Sequence, residues 1–227
     1  MQSYFITGTD TDVGKTVATV LLLKSLNMHS GQTLGIKPIS AGCENTDAGL
    51  RNEDALKLQA ASSIKAEYEI INPIAFEPFI APHIAAAKQN KPLRLEELDE
   101  CLNTAKRLNP KWLLVEGAGG WRLPLNDNGQ FYSDFAQNNQ LKVILVVGLK
   151  LGCLNHAILS HQAIINDGLE LLADNFINNG NIDITIAATA ASGDNGIVVD
   201  SSTVLTNTGM ISVNAGTNTN ARSIVVN

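Results

Sequence analysis

The sequence has little positive charge and no long hydrophobic run. Of its 227 residues, 16 are Lys or Arg and 22 are Asp or Glu, which gives a formal net charge of −6. This balance argues against general nucleic-acid binding, which requires a basic face. No apolar run approaches the roughly 18 residues of a membrane-spanning helix. The first residues, Met1 to Tyr4, also lack the charged start of a signal peptide, so we expect a cytoplasmic protein.

Cysteine and histidine are scarce, and their spacing is not that of a disulfide framework or a histidine metal site. The cysteines, Cys43, Cys101 and Cys153, include no C-x-x-C pair, which favours reduced thiols. The four histidines are scattered. His156 and His161 are five positions apart, whereas a helical zinc pair needs a spacing of four.

A loop near the N-terminus carries the strongest chemical signal. It follows the apolar run 4–6, precedes a helical segment at 17–26, and reads Gly8-Thr9-Asp10-Thr11-Asp12-Val13-Gly14-Lys15-Thr16. Between a strand and a helix, a Gly-Lys-Thr element binds nucleotide phosphates, with Lys15 on the β- and γ-phosphates and Thr16 on Mg²⁺. The loop N–H groups and the helix N-terminus stabilise polyanions. Gly8 stands one position earlier than in the usual spacing, so we expect a longer variant of the loop.

The rest of the chain alternates between predicted strands and helices. Strands are expected at 33–36, 112–115 and 143–147, and helices at 52–59, 95–108, 134–138 and 155–166. The proline-punctuated segment 72–83 should be irregular or begin short helices. The run 143–147 is apolar throughout, which is typical of a central parallel strand. The alternation predicts an α/β fold, with a P-loop doubly wound parallel sheet flanked by helices.

Polar side chains follow the predicted strands and should meet at one edge of the sheet, where such folds bind ligands. One crevice should therefore contain Lys15, Thr16, Lys37 and Glu116. Glu116 closes an apolar strand as a Walker B acid does, and with Thr16 and Asp54 it could supply the hard oxygen ligands that Mg²⁺ prefers. A solvated strand-end acid is the alternative for Glu116. For Asp54, the alternative is a role in stabilising the dipole of its helix.

The composition changes abruptly near the C-terminus. No proline follows Pro124, no lysine follows Lys150, and residues 179–227 are mainly Asn, Thr, Ser, Gly, Ala, Ile and Val. Alternation at 182–186 and the apolar run at 196–199 predict short strands separated by turns. We expect one P-loop α/β domain over residues 1–227 with an atypical β-rich tail from 179 onward.

Five motifs in this order resemble the dethiobiotin synthetase family over about residues 2–170. They are the loop at 8–16, Lys37-Pro38, Ala81-Pro82-His83, residues 115–120 (Val-Glu-Gly-Ala-Gly-Gly) and residues 152–156 (Gly-Cys-Leu-Asn-His). The resemblance implies a homodimeric, Mg-ATP-dependent cyclo-ligase of biotin biosynthesis. Such an enzyme carboxylates 7,8-diaminononanoate with CO₂ and closes the ring through a carbamate and a carbamic-phosphoric mixed anhydride.

The resemblance also implies roles for individual residues. The catalytic residues would be Lys37, Lys15 and Thr11. Nucleotide contacts would come from Asp12, Val13, Gly14, Lys15, Thr16, Val17, Glu116, Gly119 and, for adenine, Asn178. The Mg²⁺ ligands would be Thr16, Asp54 and Glu116. The substrate would contact Thr11, Lys37, Ser40 and, at a helix start in the second subunit, Gly152, Cys153, Leu154 and Asn155. Asp12 would lie near the amine.

The sequence departs from the family pattern at two places. The family has a Lys-Pro-x-x-Ser/Thr-Gly element, in which the hydroxyl residue would fall at position 41. In this chain the hydroxyl residue is Ser40, one position earlier. Because successive side chains of a strand point to opposite faces, the hydroxyl of Ser40 would point in a different direction. The family's Gly-Trp-x-x-Asn strand, whose Asn contacts adenine, is matched poorly by residues 173–178, so selectivity for the nucleotide base is expected to be weak.

Two other interpretations of the function stay open. One is a partition-type P-loop ATPase acting as a dimerisation switch, although such proteins commonly carry a lysine where this chain has Thr9-Asp10-Thr11. The other is a nonenzymatic remnant.

Overall fold

The computed structural model describes residues 1–29 and 31–171, and the backbone of two strands at 182–185 and 211–214. The strands are β1 Gln2–Gly8, β2 Thr33–Ile36, β3 Ile39–Ala41, β4 Glu44–Thr46, β5 Gly49–Arg51, β6 Ile74–Phe76, β7 Trp112–Gly120, β8 Lys142–Val146, β9 Ile182–Thr185 and β10 Ile211–Asn214. The helices are α1 Lys15–His29, α2 Glu53–Ala61, α3 Tyr68–Ile71, α4 Pro82–Lys88, α5 Leu95–Arg107, α6 Tyr132–Asn138 and α7 Cys153–Asn166.

The main sheet has four parallel strands in the order β2-β7-β1-β8. These are the four strands predicted from apolar runs, and the parallel α/β fold is confirmed. The run at 143–147 was predicted to be central, but β8 lies at the edge of this sheet, where Val143 forms one isolated parallel bridge with Leu171. β7 continues beyond the predicted strand 112–115 because Gly120 pairs with Gly8 of β1 after a shift in register. Because all four strands run in the same direction, they end at the same edge of the sheet.

Alternate residues of the central strands enter two hydrophobic clusters, one on each face of the sheet. Tyr4 and Ile6 of β1 pack with residues of α1 and α2, whereas Phe5 between them packs with residues of α5 and α6. β7 divides in the same way, with Leu114 in the first cluster and its two neighbours in the second. Because side chains alternate across a strand, burial in both clusters means that both faces of the sheet are covered.

Side-chain hydrogen bonds define the starts of α2 and α6. Asn52 caps α2 by accepting a hydrogen bond from Ala55 N at 3.2 Å, the usual role of an N-cap asparagine. α6 begins at Tyr132, before the predicted start at residue 134, and the Asp134 carboxylate accepts from Phe131 N at 2.9 Å. α5 buries Leu95, Leu98, Leu102 and Ala105, which recur at helical spacing, in the core. Among the helices of the described residues, none is both long and apolar enough to cross a membrane.

Two small sheets lie beyond the second strand and were not predicted. β3 pairs with β6 in parallel, and β4 forms an antiparallel hairpin with β5. Each of these strands has three residues, too few to establish a period in the sequence. β3 follows Lys37 and Pro38 directly in the chain, so its pairing with β6 continues from the end of β2.

The C-terminal segment is described only as a two-stranded parallel sheet of β9 and β10. β9 falls on the predicted alternation at 182–186. The predicted strand at 196–199 lies outside the described residues, as do the segment 173–178 and the adenine candidate Asn178.

Candidate active site

The phosphate loop joins β1 to α1 through a tight backbone path. Asp12 and Gly14 have φ angles of 57° and 95°, in the left-handed region that glycine favours and aspartate tolerates. A Cβ on Gly8 would lie 2.5 Å from Val13 Cγ2 and 3.0 Å from Asp10 O. The first glycine is therefore required by close packing of the loop on itself, even at its unusual spacing.

Lys37 is buried between two carboxylates. Its Nζ lies 2.7 Å from Asp54 Oδ2 and 2.7 Å from Glu116 Oε1. Glu116 is 0% exposed and Lys37 is 7% exposed. The Thr16 hydroxyl donates to the same Glu116 oxygen at 2.9 Å. Four of the predicted site residues thus form one connected cluster at the carboxyl end of the sheet.

The fifth, Lys15, lies in the loop above this cluster. Its ammonium donates to Asp10 O at 2.9 Å. Burial lowers the pKa of Lys15 to about 8, and the ammonium of Lys37 adds to the effect while Glu116 opposes it. Lys15 is therefore a buried cation with no carboxylate in direct contact among the described residues, which is the electrostatic setting of a polyphosphate site.

The pKa of Lys37 is raised, unlike that of Lys15, because two carboxylates contact its ammonium. Burial would lower its pKa, but Glu116 and Asp54 outweigh burial and raise the pKa above its ordinary value. Burial would likewise raise the pKa of Asp54, whereas the Lys37 ammonium and the nearby Thr16 hydroxyl hold it below its usual value. Lys37 is therefore charged at neutral pH, close to the place where the loop would hold phosphates.

The donor set fits a magnesium ion. Thr16, Asp54 and Glu116 offer a hydroxyl and two carboxylates, and Glu116 Oε2 is buried with no hydrogen-bond partner. Among residues 1–29 and 31–171, no group of three or more His, Cys, Asp or Glu side chains could hold a metal by itself. Mg²⁺ suits this incomplete set, because it is commonly bound by one or two carboxylates together with water and substrate phosphates.

Comparison with known proteins identifies the family. A family model described as an AAA domain matches residues 2–192. The ATP-dependent dethiobiotin synthetase BioD of Cellvibrio japonicus is 48% identical over 171 residues, which cover 75% of this chain and 74% of that protein. The corresponding protein of Aeromonas salmonicida is 50% identical over 169 residues, covering 74% of each chain. BioD 1 of Escherichia coli K12 is 46% identical over 168 residues, again covering 74% of each chain.

This chain belongs to the dethiobiotin synthetase family. The resemblance that the five motifs predicted is confirmed, and its aligned length is about that of the segment in which the motifs lie. The partition-type switch is not favoured by these relatives.

The other residues that the dethiobiotin synthetase pattern assigns to the site differ in their surroundings. Thr11 and Asp12 are exposed at the loop, and a Cβ on Gly119 would lie 3.9 Å from Thr11 Oγ1. Val13 is buried against Gly8 and Gly148. Val17, by contrast, is 53% exposed on α1.

The structure places Ser40 away from the cluster. Its side chain is 1% exposed, and its hydroxyl donates to Asn72 Oδ1 at 2.7 Å and lies 3.0 Å from Cys43 Sγ. Ala41, its neighbour on β3, occupies the opposite side of the strand. The one-residue shift noted in the sequence thus directs the hydroxyl into the protein interior.

The predicted substrate residues 152–155 lie at the start of α7, and their side chains are exposed or half-buried. Gly152 has φ 93° and precedes the helix. An ion pair that the sequence did not indicate connects this turn to the phosphate loop, with Lys150 Nζ 3.1 Å from Asp10 Oδ2. Lys150 O in turn accepts from Cys153 N at 2.9 Å.

Three polar residues near the site were not assigned to it from the sequence. Asn52, Tyr68 and Asn72 are buried polar residues that form hydrogen bonds behind Lys37 and Asp54. A capping asparagine before a helix is recognisable in sequence. A buried amide in an Asn-Pro pair is not, because that pair usually marks a turn.

Proposed function

We propose that this chain is an ATP-dependent dethiobiotin synthetase, which joins CO₂ to 7,8-diaminononanoate and closes a cyclic urea at the expense of ATP. The observation that carries the proposal is the burial of the Lys37 ammonium against Asp54 and Glu116, beside a phosphate loop with a second buried lysine. Two cations and an anion-binding loop suit a reaction in which a carbamate meets a triphosphate.

The loop and its lysine would bind the nucleotide. The N–H groups of residues 12–17 would surround the phosphates at the N-terminus of α1, and Lys15 would contact the β- and γ-phosphates. Because a nearby anion favours the charged form of a lysine, bound polyphosphate would raise the pKa of Lys15 again. Mg²⁺, held by Thr16, Asp54 and Glu116, would offset charge on the phosphate oxygens.

Lys37 would act at the point where the carbamate of the substrate meets the triphosphate of ATP. One amine of the substrate takes up CO₂ and loses a proton to become a carbamate, whose oxygen attacks the γ-phosphorus of ATP and displaces ADP. The second amine then attacks the carbonyl carbon of the carbamic-phosphoric anhydride and loses a proton, and inorganic phosphate leaves as the ring closes. Lys37 offsets negative charge in both steps, while Thr11 and Asp12, exposed beside the loop, contact the diamine.

We further propose that the enzyme is a homodimer with residues 152–155 of a second copy at the carboxylate end of the substrate. The N–H groups of a helix start suit a carboxylate. Exposed apolar side chains on and before α7 support this arrangement, since Leu151, Leu154, Ile158 and Leu159 are 107%, 74%, 56% and 56% exposed. Contiguous exposed apolar residues of this kind mark interaction surfaces.

The activity is tested by phosphate release and by mass spectrometry of the product. Phosphate should appear only when diaminononanoate, bicarbonate, Mg²⁺ and ATP are all present, in a one-to-one ratio with dethiobiotin. Lys15→Gln is the inactive reference. ATP hydrolysis that does not depend on the diamine would point to a nucleotide switch, and absence of both activities would overturn the proposal.

A further inference from the structure

A buried hydrogen-bond network lies behind the Lys37–Asp54 ion pair. Its centre is Asn72, which is 3% exposed. Asn72 Nδ2 donates to the backbone carbonyl of Lys37 at 2.6 Å. Asn72 Oδ1 accepts from Ser40 Oγ at 2.7 Å and from Tyr68 OH at 3.0 Å. The backbone N–H of Lys37 donates to Ile71 O at 2.8 Å, so residues 71–72 hold both polar backbone groups of Lys37.

Tyr68 extends the network to α2. Its hydroxyl accepts from the backbone N–H of Asn52 at 2.7 Å while donating to Asn72. Asn52 is the N-cap of α2, and Asp54 lies in the first turn of that helix. The hydroxyl of Tyr68 therefore connects the end of β2, which carries Lys37, to the start of α2, which carries Asp54.

The protons in this network can be assigned. Ser40 has one hydroxyl proton and gives it to Asn72, so the thiol of Cys43 donates to Ser40 Oγ across 3.0 Å. The amide of Asn72 has one orientation that satisfies these partners, with its nitrogen toward Lys37 O. A fully satisfied buried network fixes the relative position of the elements that it joins.

We propose that Asn72 and Tyr68 are positioning residues for the reaction, because they set the backbone of Lys37 relative to Asp54. The proposal rests on the proposed function of Lys37. The two residues touch no reacting group themselves. Small displacements of a charged group that must meet a transition state are costly, with about a hundredfold loss for a shift of ~1 Å.

The first test compares two tyrosine-to-phenylalanine variants. Tyr68→Phe removes the hydroxyl that bridges β2 and α2. Tyr132→Phe is the matched control: Tyr132 is 1% exposed, and its hydroxyl has no hydrogen-bond partner among the described residues. We expect Tyr68→Phe to lower kcat by about tenfold or more, with KM for ATP changed less than about twofold, and Tyr132→Phe to leave both unchanged. Equal effects of the two variants would overturn the proposal.

A double-mutant cycle separates positioning from general weakening of the fold. If Tyr68 acts through the Lys37–Asp54 pair, Tyr68→Phe should lose most of its effect when Lys37→Gln or Asp54→Asn is already present. Both backgrounds are measured in single turnovers, well below the melting temperature of each variant. An undiminished loss of rate in both backgrounds would mean that Tyr68 is merely structural.

A spectroscopic measurement tests the same inference without relying on activity. In protein labelled with ¹⁵N-lysine, the buried, doubly paired ammonium of Lys37 should give a protected resonance, assigned by its absence in Lys37→Gln. Tyr68→Phe and Asn72→Asp should shift or broaden it, and Tyr132→Phe should not. An unchanged Lys37 resonance in Tyr68→Phe would refute the positioning role. If the resonance responds as expected but the wild-type protein forms no dethiobiotin, the proposed function fails and the positioning of Lys37 stands.

Discussion

Lys37→Gln should destabilise the protein as well as slow its turnover. The substitution removes the cation between Asp54 and Glu116, both 2.7 Å from Nζ. Removing one partner of a buried ion pair costs about 3–5 kcal/mol. The Asp54 side chain is 37% exposed and can be solvated, whereas the Glu116 side chain is 0% exposed. We therefore expect a loss near the lower limit, about 3 kcal/mol, together with a fall in turnover of about 10²–10³-fold.

The loss of folding stability caused by Lys37→Gln should become smaller as the pH is lowered. In the wild-type protein the pKa of Asp54 lies below its usual value of 3.8, because the opposing effects of Lys37 and Thr16 exceed that of burial. A carboxyl with a lowered pKa contributes stability that is complete above the unfolded pKa and is lost as pH falls through the folded pKa. In Lys37→Gln the ammonium no longer lowers the pKa of Asp54, so the stability that this interaction provides is absent at every pH. The difference in stability between the two proteins should therefore be largest at neutral pH and narrow in the acid range.

Urea unfolding of both proteins at about pH 7.5 and at about pH 3, which is below the usual Asp54 pKa of 3.8, measures this difference. Lys57→Gln is the control, since Lys57 pairs with Glu53 on α2 at 2.7 Å but their side chains are 52% and 83% exposed. Exposed pairs of this kind contribute about 0–1 kcal/mol. If Lys37→Gln lost no more stability than Lys57→Gln, or if its loss grew toward acid pH, the electrostatic reasoning about this cluster would be wrong.

Four further outcomes are expected. Glu116→Gln should raise the Mg²⁺ concentration needed for half-maximal turnover, because an amide attracts a hard cation less than a carboxylate does; an unchanged titration removes Glu116 from the metal site. Mg-ATP binding should take up about half a proton at pH 8, since Lys15, with its pKa near 8, regains full charge beside phosphate; calorimetry in buffers of different ionisation enthalpy measures the uptake, which should vanish near pH 6. Ile158→Glu should give monomers in analytical ultracentrifugation and reduce turnover if α7 forms the dimer interface; a dimer that persists contradicts that assignment. GTP should support turnover within about tenfold of ATP, or ~1.4 kcal/mol, because residues 173–178 match the adenine-reading strand poorly; a hundredfold preference for ATP would refute this reasoning.

The main sheet could be predicted from the sequence because its strands are buried on both faces. The run 143–147 is apolar at every position, and a short run of this kind is typical of a parallel strand covered by helices on both sides. The three-residue strands β3 to β6 could not be found in this way. They are set by contacts made in the folded protein, such as Cys43 N donating to Phe76 O at 3.0 Å, and leave no period in the sequence.

The sequence predicted that Thr16, Lys37 and Glu116 would come together, but it did not predict their surroundings. The sequence places Lys37 after a strand, where a lysine is ordinarily solvated, yet in the structure it is 7% exposed. The Asp54 assignment depended on the family resemblance, because an acid in the first turn of a helix is common. Its 2.7 Å contact with Lys37 depends on the position of α2, which is set in part by Tyr68 and Asn72 from a segment that the sequence marked only as irregular.

Strand register brings residues that are far apart in sequence to one point. Ile6 of β1 is paired with Glu116 of β7, and Ile36 of β2 is paired with Val115. Lys37 therefore follows β2 at the level of Glu116, while β1 reaches the same level just before the loop that carries Lys15 and Thr16. A one-residue slip of β7 would turn Glu116 to the opposite face of the sheet. The buried side chains of Leu113, Leu114 and Val115, which precede Glu116, oppose that slip, so the same packing that stabilises the sheet also holds the carboxylate against Lys37.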